Sequence, residues 1–295
     1  MATARGRATL SGIGAILLWA SLAVLTTTAA GIPPFELLAL SFGLSGILGC
    51  AWLLRPGGQS LRALRQPMKA AALAIGALFG YHALYFIAFS RAPAVEVNLV
   101  NYLWPLLIVV FTTFLPGVQV YPRQWAATFL GLAGATLVIT HGRGFVIEAR
   151  HAPGYLAALG AALTWSAYSV LNRRFGSTSS NAIAGACFVV GLLGALVHAA
   201  TEAWVMPAPS QWAAIIALAI GPVGLAFWLW DHGTKHGDIV LLGIASYAAP
   251  VLSTALLLVA GRAQPHWTQA VAVGLLLLGA ALSVQRPGEQ KSRST

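Results

Sequence analysis

The sequence predicts an all-α membrane protein of ten transmembrane helices, built as two inverted five-helix repeats with both termini in the cytoplasm. Three observations point there. The 295 residues are 58% hydrophobic and only 8% charged, against roughly 25% charged residues in an ordinary soluble domain. The apolar residues fall into ten long runs separated by short polar stretches. Short motifs in the first half of the chain return in the second half at nearly constant spacing.

A helix needs about 20 apolar residues to cross a hydrocarbon core of roughly 30 Å. Runs of that order lie at 8–30, 34–54, 69–90, 94–115 and 122–140, then at 152–172, 180–203, 210–230, 238–260 and 266–285. Each is far too long for a barrel strand, so helices are the spanning elements. The first run follows Arg5 and Arg7 and could pass for a secretory leader, but it exceeds the apolar core of about 7–15 residues that such leaders carry. It is read as a span. The longest connection on the cytoplasmic side runs from Arg55 to Met68 and starts with Pro56-Gly57-Gly58. The connections leave no room for a soluble domain. The stretch after Arg286 is polar and is expected to be disordered.

The formal net charge of +10 does not imply a nucleic-acid partner, because the basic residues are dispersed between apolar runs and form no basic face. They act as topology signals instead. With the N-terminus inside, Arg5, Arg7, Arg55, Arg62, Arg65, Lys69, Arg123, Arg173, Arg174, Lys235, Arg286, Lys291 and Arg293 fall on the cytoplasmic side. Only Arg91, Arg143, Arg150 and Arg262 fall outside. This bias follows the positive-inside rule. Cys50 and Cys187 both sit in apolar runs, where they read as small packing residues and not as a disulfide pair.

Gly14–Ser21 resembles Gly160–Ala167, each with a central Trp (Trp19, Trp165), and Asn101-Tyr102-Leu103-Trp104-Pro105 matches Ser246-Tyr247-Ala248-Ala249-Pro250 at its Tyr and Pro. The repeats are placed at 1–141 and 142–286, with a tail at 287–295. Five is odd, so the second copy starts from the opposite face, and a binding site is expected near the midplane where the halves meet.

Ten helices in a five-plus-five inverted repeat resemble the drug/metabolite transporter superfamily, and within it the EamA-type carriers, over residues 8–285. Val100-Asn101-Tyr102-Leu103-Trp104-Pro105 looks like the fourth-helix motif of the YddG-type aromatic amino-acid exporters. Many relatives carry an acid just after that helix in a Leu-Gly-Glu pattern. Here the position reads Leu115-Pro116-Gly117, so no role of that acid carries over. The resemblance implies a multi-pass carrier of a bacterial-type cytoplasmic membrane, exporting aromatic and hydrophobic amino acids. A membrane enzyme acting on a lipid-linked substrate would need convergent acid/base or metal-binding residues at one membrane face; the seven histidines are scattered and no nucleophile–base pairing is visible, so no enzymatic activity is expected. A drug, metabolite or nucleobase carrier of the same fold is the alternative.

Polar groups within a membrane helix avoid lipid, since unsatisfied donors there cost several kcal/mol. Tyr81, His82 and Tyr85 of the third span, and Asn98, Asn101, Tyr102 and Trp104 of the fourth, are therefore expected to face the interior and bind substrate. Trp19, Trp165, Tyr168, Ser169, Trp228, Ser246 and Tyr247 are expected to complete the wall. Bundle-stabilising hydrogen bonds are the competing reading. Pro105 and Pro250 each remove a backbone donor and are candidate gating kinks. Gly76 and Gly80 have the spacing of a close helix contact. His232 and His236 follow Asp231 in what reads as a connection, and without a third ligand they do not make a metal site. No cofactor or metal is expected; the partners are a small-molecule substrate and membrane lipids.

Overall fold

The computed structural model describes residues 3–58 and 60–284, and every regular element among them is helical. The predicted tail and the last residue of the tenth run lie outside the described residues. Ten helical rods follow one another: α1 (Ala4–Thr28), α2 (Pro34–Leu54), α3 (Met68–Arg91), α4 (Ala94–Thr112), α5 (Pro122–Thr140), α6 (Ala149–Phe175), α7 (Ala182–Thr201), α8 (Pro209–His236), α9 (Ile239–Val259) and α10 (Trp267–Val284). All but α5 and α10 are long and apolar enough to cross a membrane. Arg123, Gln124 and three threonines dilute α5, and α10 is a shorter apolar helix.

Three rods are broken inside. α1 is interrupted at Ala20–Ser21, α4 at Tyr102–Leu103 and α9 at Ser246–Tyr247. The last two breaks have one cause. A proline has no N–H for the carbonyl four residues earlier, which is Asn101 for Pro105 and Ser246 for Pro250. The helical segments accordingly stop at Asn101 and Ala245. The break in α1 has no proline or glycine to signal it. In α8, Pro222 sits in a wide π-helical stretch, Ala219–Leu225.

Four packing pairs join a rod of one half to a rod of the other, α1 with α8, α2 with α7, α3 with α6 and α5 with α10, while α4 packs mainly on α6 and α9 touches α1, α4 and α5. Glycines bring the backbones together. A Cβ on Gly46 would sit 2.5 Å from the backbone N of Phe188, and one on Gly191 would sit 2.5 Å from the backbone N of Gly43. Moving 43 and 46 along the chain by 145 positions gives 188 and 191, so the second contact is the first with the halves exchanged. The same exchange relates Gly134 against Ala272 to Gly279 against Ala127 and, with a step of 146 on the α1 side, Gly14 against Leu229 to Gly160 against Leu84. In the α2–α7 and α5–α10 pairs, rising numbers on one rod meet falling numbers on the other, so these rods run antiparallel. Gly76 and Gly80 are not close contacts: a Cβ on Gly76 meets nothing within 4 Å, and one on Gly80 meets only Thr164 at 3.9 Å.

The bundle has two distinct ends. At one, Arg5 pairs with Asp238 (2.9 Å) and Arg173 donates to the carbonyl of Gly237 (3.0 Å). At the other, Arg262 donates to Thr27 and Thr28, and His151 meets the carbonyl of Arg91. Arg5 and Arg173, which the sequence assigns to one side, thus lie at the end opposite Arg91 and Arg262, which it assigns to the other.

One correction concerns α8. The apolar run ends near residue 230, but the helix continues to His236 and carries Asp231 and Lys235 into the protein, both almost fully buried. They form an i,i+4 ion pair of 2.8 Å, which lets a charged segment continue as buried helix. Asp231 is therefore neither a loop residue nor a helix-end residue.

Candidate functional site

A cavity of about 560 Å³ lies between the halves, in the part of the bundle toward the Arg262 end. Its walls come from the later turns of α1 and α3 (Leu22, Thr26; Tyr85, Phe89), the early turns of α2 and α4 (Ser41; Asn98), and parts of α6, α8 and α9. Toward the Arg5 end it stops at a cluster of tryptophan rings packed edge-on or tilted against one another. Trp19 lies 5.6 Å from Trp165 and 5.1 Å from Trp230, and Trp104 lies 6.0 Å from Trp230.

Nine of the residues expected at the site line this cavity: Trp19, Tyr81, His82, Tyr85, Asn98, Asn101, Tyr102, Trp104 and Trp165. The break at Tyr102–Leu103 follows Asn101 directly, so the α4 residues reach the cavity where the helix is interrupted. Tyr81 and Tyr85, one turn apart on α3, stack at 5.7 Å. Each is held by α4: Tyr85 donates its hydroxyl hydrogen to Asn98 Oδ1 (2.7 Å), and Asn101 Nδ2 donates to the Tyr81 hydroxyl (3.2 Å). Asn101 Oδ1 is buried with no hydrogen-bond partner in the protein. His82 Nδ1 lies 2.7 Å from the carbonyl of Leu78. A carbonyl only accepts, so Nδ1 carries the hydrogen and, in the neutral ring, Nε2 is the acceptor.

Among the described residues, the lining contains no Asp, Glu, Lys or Arg. It is a wall of ring faces with a few uncharged polar groups and two acceptors without internal donors. Such a wall suits an aromatic or apolar body through offset and edge contacts. It also suits a cationic group through cation–π attraction, worth about 0.5–2 kcal/mol.

The other five expected residues lie elsewhere. Tyr168 is buried with its hydroxyl 3.3 Å from Asp231, and Ser169 accepts from Trp230 Nε1 at 3.1 Å. Ser246 turns back to the carbonyl of Leu242, and Tyr247 packs against Gly131. Trp228 is partly exposed and donates to Asn181. Pro105 is buried beside the break in α4, with the neighbouring Trp104 in the wall; Pro250 follows the wall residue Ala249 on α9.

Sequence reading missed the phenylalanines Phe42, Phe86, Phe89 and Phe227, together with Ser41 and Ser253. An apolar residue in an apolar run carries no signal of its own. Phe227 and Phe42 are central all the same, their rings 5.6 Å apart, with Trp19 5.8 Å from Phe227.

Comparison with known proteins agrees with this architecture. A family model described as the EamA-like transporter family matches twice, at residues 6–140 and 152–285. A protein from Ancylobacter novellus named aromatic amino acid exporter YddG is 48% identical over 280 residues, covering 95% of this chain and 97% of the relative. Proteins of the same name from Escherichia coli and Salmonella typhimurium are 27% and 26% identical, each over 85% of this chain and over 88% and 87% of the relatives. A solved crystal structure, 48% identical, superposes with a TM-score of 0.90, covering 95% of this chain and 97% of that one.

Proposed function

This chain belongs to the EamA-like transporter family, and we propose that it exports amino acids, aromatic and hydrophobic ones foremost, by exposing its central cavity alternately to the two faces of a bacterial cytoplasmic membrane. In this reading all ten rods span the membrane, both termini are cytoplasmic, and the halves 1–141 and 142–286 are inverted copies of one unit. The antiparallel α2–α7 and α5–α10 pairs support the inversion, because each joins corresponding rods of the two halves.

The observation that carries the reading is the uncharged aromatic cavity with two unpartnered acceptors. A zwitterionic amino acid has three needs in a water-poor site: a seat for its side chain, acceptors for its ammonium and donors for its carboxylate. Tyr81, Trp19, Trp165 and Phe227 supply the seat. Asn101 Oδ1 and His82 Nε2 supply the acceptors, and the Tyr102 hydroxyl supplies a donor. The relatives named aromatic amino acid exporter support the same substrate class.

The test is a counterflow screen with the purified protein in liposomes preloaded with phenylalanine, threonine, adenine or a hydrophobic amine. Accumulation of labelled amino acids with no response to the amine or the nucleobase is expected. Accumulation of adenine or the amine alone would transfer the site to a metabolite or drug.

A further inference from the structure

A polar cavity of about 360 Å³ lies at the Arg5 end, between the α6–α7 connection and the last turns of α8. Thr178 and Ser180 line it from the connection, and Trp228, His232 and His236, on successive turns, line it from α8. Two contacts hold these walls together. Trp228 Nε1 donates to Asn181 Oδ1 (2.9 Å), and Lys235 Nζ donates to the carbonyl of Thr178 (3.1 Å). The Trp228 and His232 rings lie nearly parallel, 6.0 Å apart, and the His232 and His236 rings are 5.0 Å apart.

The walls carry donors that the protein leaves unused. Thr178 and Ser180 are only 9% and 8% exposed, yet neither hydroxyl has a hydrogen-bond partner among the described residues, and neither imidazole has one. A neutral imidazole carries one N–H and a hydroxyl donates one hydrogen, so two elements present four donors. No Asp or Glu lines the cavity among the described residues. Asp231, on the same stretch of α8, has one oxygen bonded to Asn172 and the other to Lys235. Arg173 and Arg174 directly precede the connection. Donors without a lining acid, beside basic residues, select an anion. The shared plan of the halves does not impose this set. The step of 145 that carries Leu84 onto Leu229 sends Ala83 and Ile87 to Trp228 and His232, and the connection before α2, Gly31-Ile32-Pro33, has no hydroxyl.

We propose that this cavity binds a phosphate group, carried by a phospholipid of the leaflet at the Arg5 end. A phosphate brings negative charge and several acceptor oxygens to donors on two walls. Trp228 is 37% exposed, and Leu225, one turn earlier on α8, is 48% exposed. They form an apolar strip from the cavity into the depth where acyl chains lie. Free phosphate would use the same donors without the strip. The cavity shares no lining residue with the aromatic one, so the proposal is independent of what the carrier moves.

The test uses the full chain in dodecyl maltoside, in phosphate-free buffer, with diethyl pyrocarbonate as the probe of accessible imidazoles. Peptide mass spectrometry reads the modification rates of His232 and His236, with His141 and His266, outside the lining, as internal references. The three arms are dihexanoylphosphatidylglycerol, dihexanoylglycerol and inorganic phosphate. The phospholipid is expected to slow modification of His232 and His236 several-fold and to leave the references unchanged, while dihexanoylglycerol has no effect. Inorganic phosphate should protect only at higher concentration; protection at equal or lower concentration would overturn the lipid as the source. No protection by either phosphate compound, or equal protection by dihexanoylglycerol, would overturn the site itself. Thr178→Val with Ser180→Ala removes both hydroxyls and should raise the phospholipid concentration for half-protection on the order of tenfold. Ser180→Ala alone serves where the pair does not fold. An unchanged half-protection concentration would likewise overturn the site.

Discussion

Trp19 Nε1 donates to the carbonyl of Pro222 at 3.0 Å, tying α1 to the π-helical stretch of α8. That stretch is where α8 departs from regular helical bonding, and the indole supplies a donor to one of its carbonyls. The same indole packs against Trp165, Phe227 and Trp230. It is both a wall of the cavity and a brace for it. Trp19→Phe keeps an aromatic ring and removes the donor. It is expected to cost about 1 kcal/mol of stability, seen as a midpoint lowered by a few degrees in a thermal unfolding series, with a larger fractional loss of transport than of folded protein.

The α2–α7 contact predicts a contrast between neighbouring glycines. Gly46→Ala would place a methyl 2.5 Å from the Phe188 backbone, whereas Gly43→Ala meets nothing within 4 Å. Overpacking against a backbone that cannot yield costs about 1–3 kcal/mol. Gly46→Ala, and its counterpart Gly191→Ala, should therefore lower thermal stability clearly. Gly43→Ala should leave it unchanged or raise it slightly, since alanine favours helix over glycine by roughly 1 kcal/mol. Equal midpoints for all three would refute the close approach.

The two ion pairs near the Arg5 end should behave differently. Lys235 and Asp231 are buried together, so Lys235→Met leaves a buried carboxylate without its cation, at a cost of about 3–5 kcal/mol. Arg5 is largely exposed and Asp238 half-buried, so water screens the pair and Arg5→Ala should cost under about 1 kcal/mol. Chemical or thermal denaturation of the two variants side by side measures the difference. A Lys235→Met protein as stable as Arg5→Ala would mean that water reaches Asp231.

Which of these features the sequence announced depends on whether polarity marked them. Asn98, Asn101, Tyr81 and Tyr85 stand out as polar groups in apolar runs, and they do meet across α3 and α4. The proline spacing located the breaks in α4 and α9. The break at Ala20–Ser21 has no breaker residue and had no signal. Hydropathy falls at Asp231 and so ends the apolar run early, although an i,i+4 pair lets the helix continue buried. Glu36 reads as a helix-end acid, and it is at the start of α2, but it is fully buried. There Glu202 accepts from the backbone N–H groups of Phe35 and Glu36, and His198 lies 3.0 Å from Glu202. The reciprocal glycines are legible in the sequence itself: Gly46-Ile47-Leu48-Gly49 returns as Gly191-Leu192-Leu193-Gly194, at the same 145 spacing as the prolines.

In the proposed function an amino acid is carried in the aromatic cavity and recognised there by uncharged acceptors. Counterflow of labelled phenylalanine in liposomes, compared between the parent protein and Asn101→Ala, tests it most directly, with Trp267→Phe, outside the cavity lining, as a control. Asn101→Ala removes the unpartnered Oδ1 and the bond that orients Tyr81, and should reduce the initial rate about tenfold or more at unchanged protein content. Trp267→Phe should match the parent. Undiminished phenylalanine counterflow in Asn101→Ala would contradict the account.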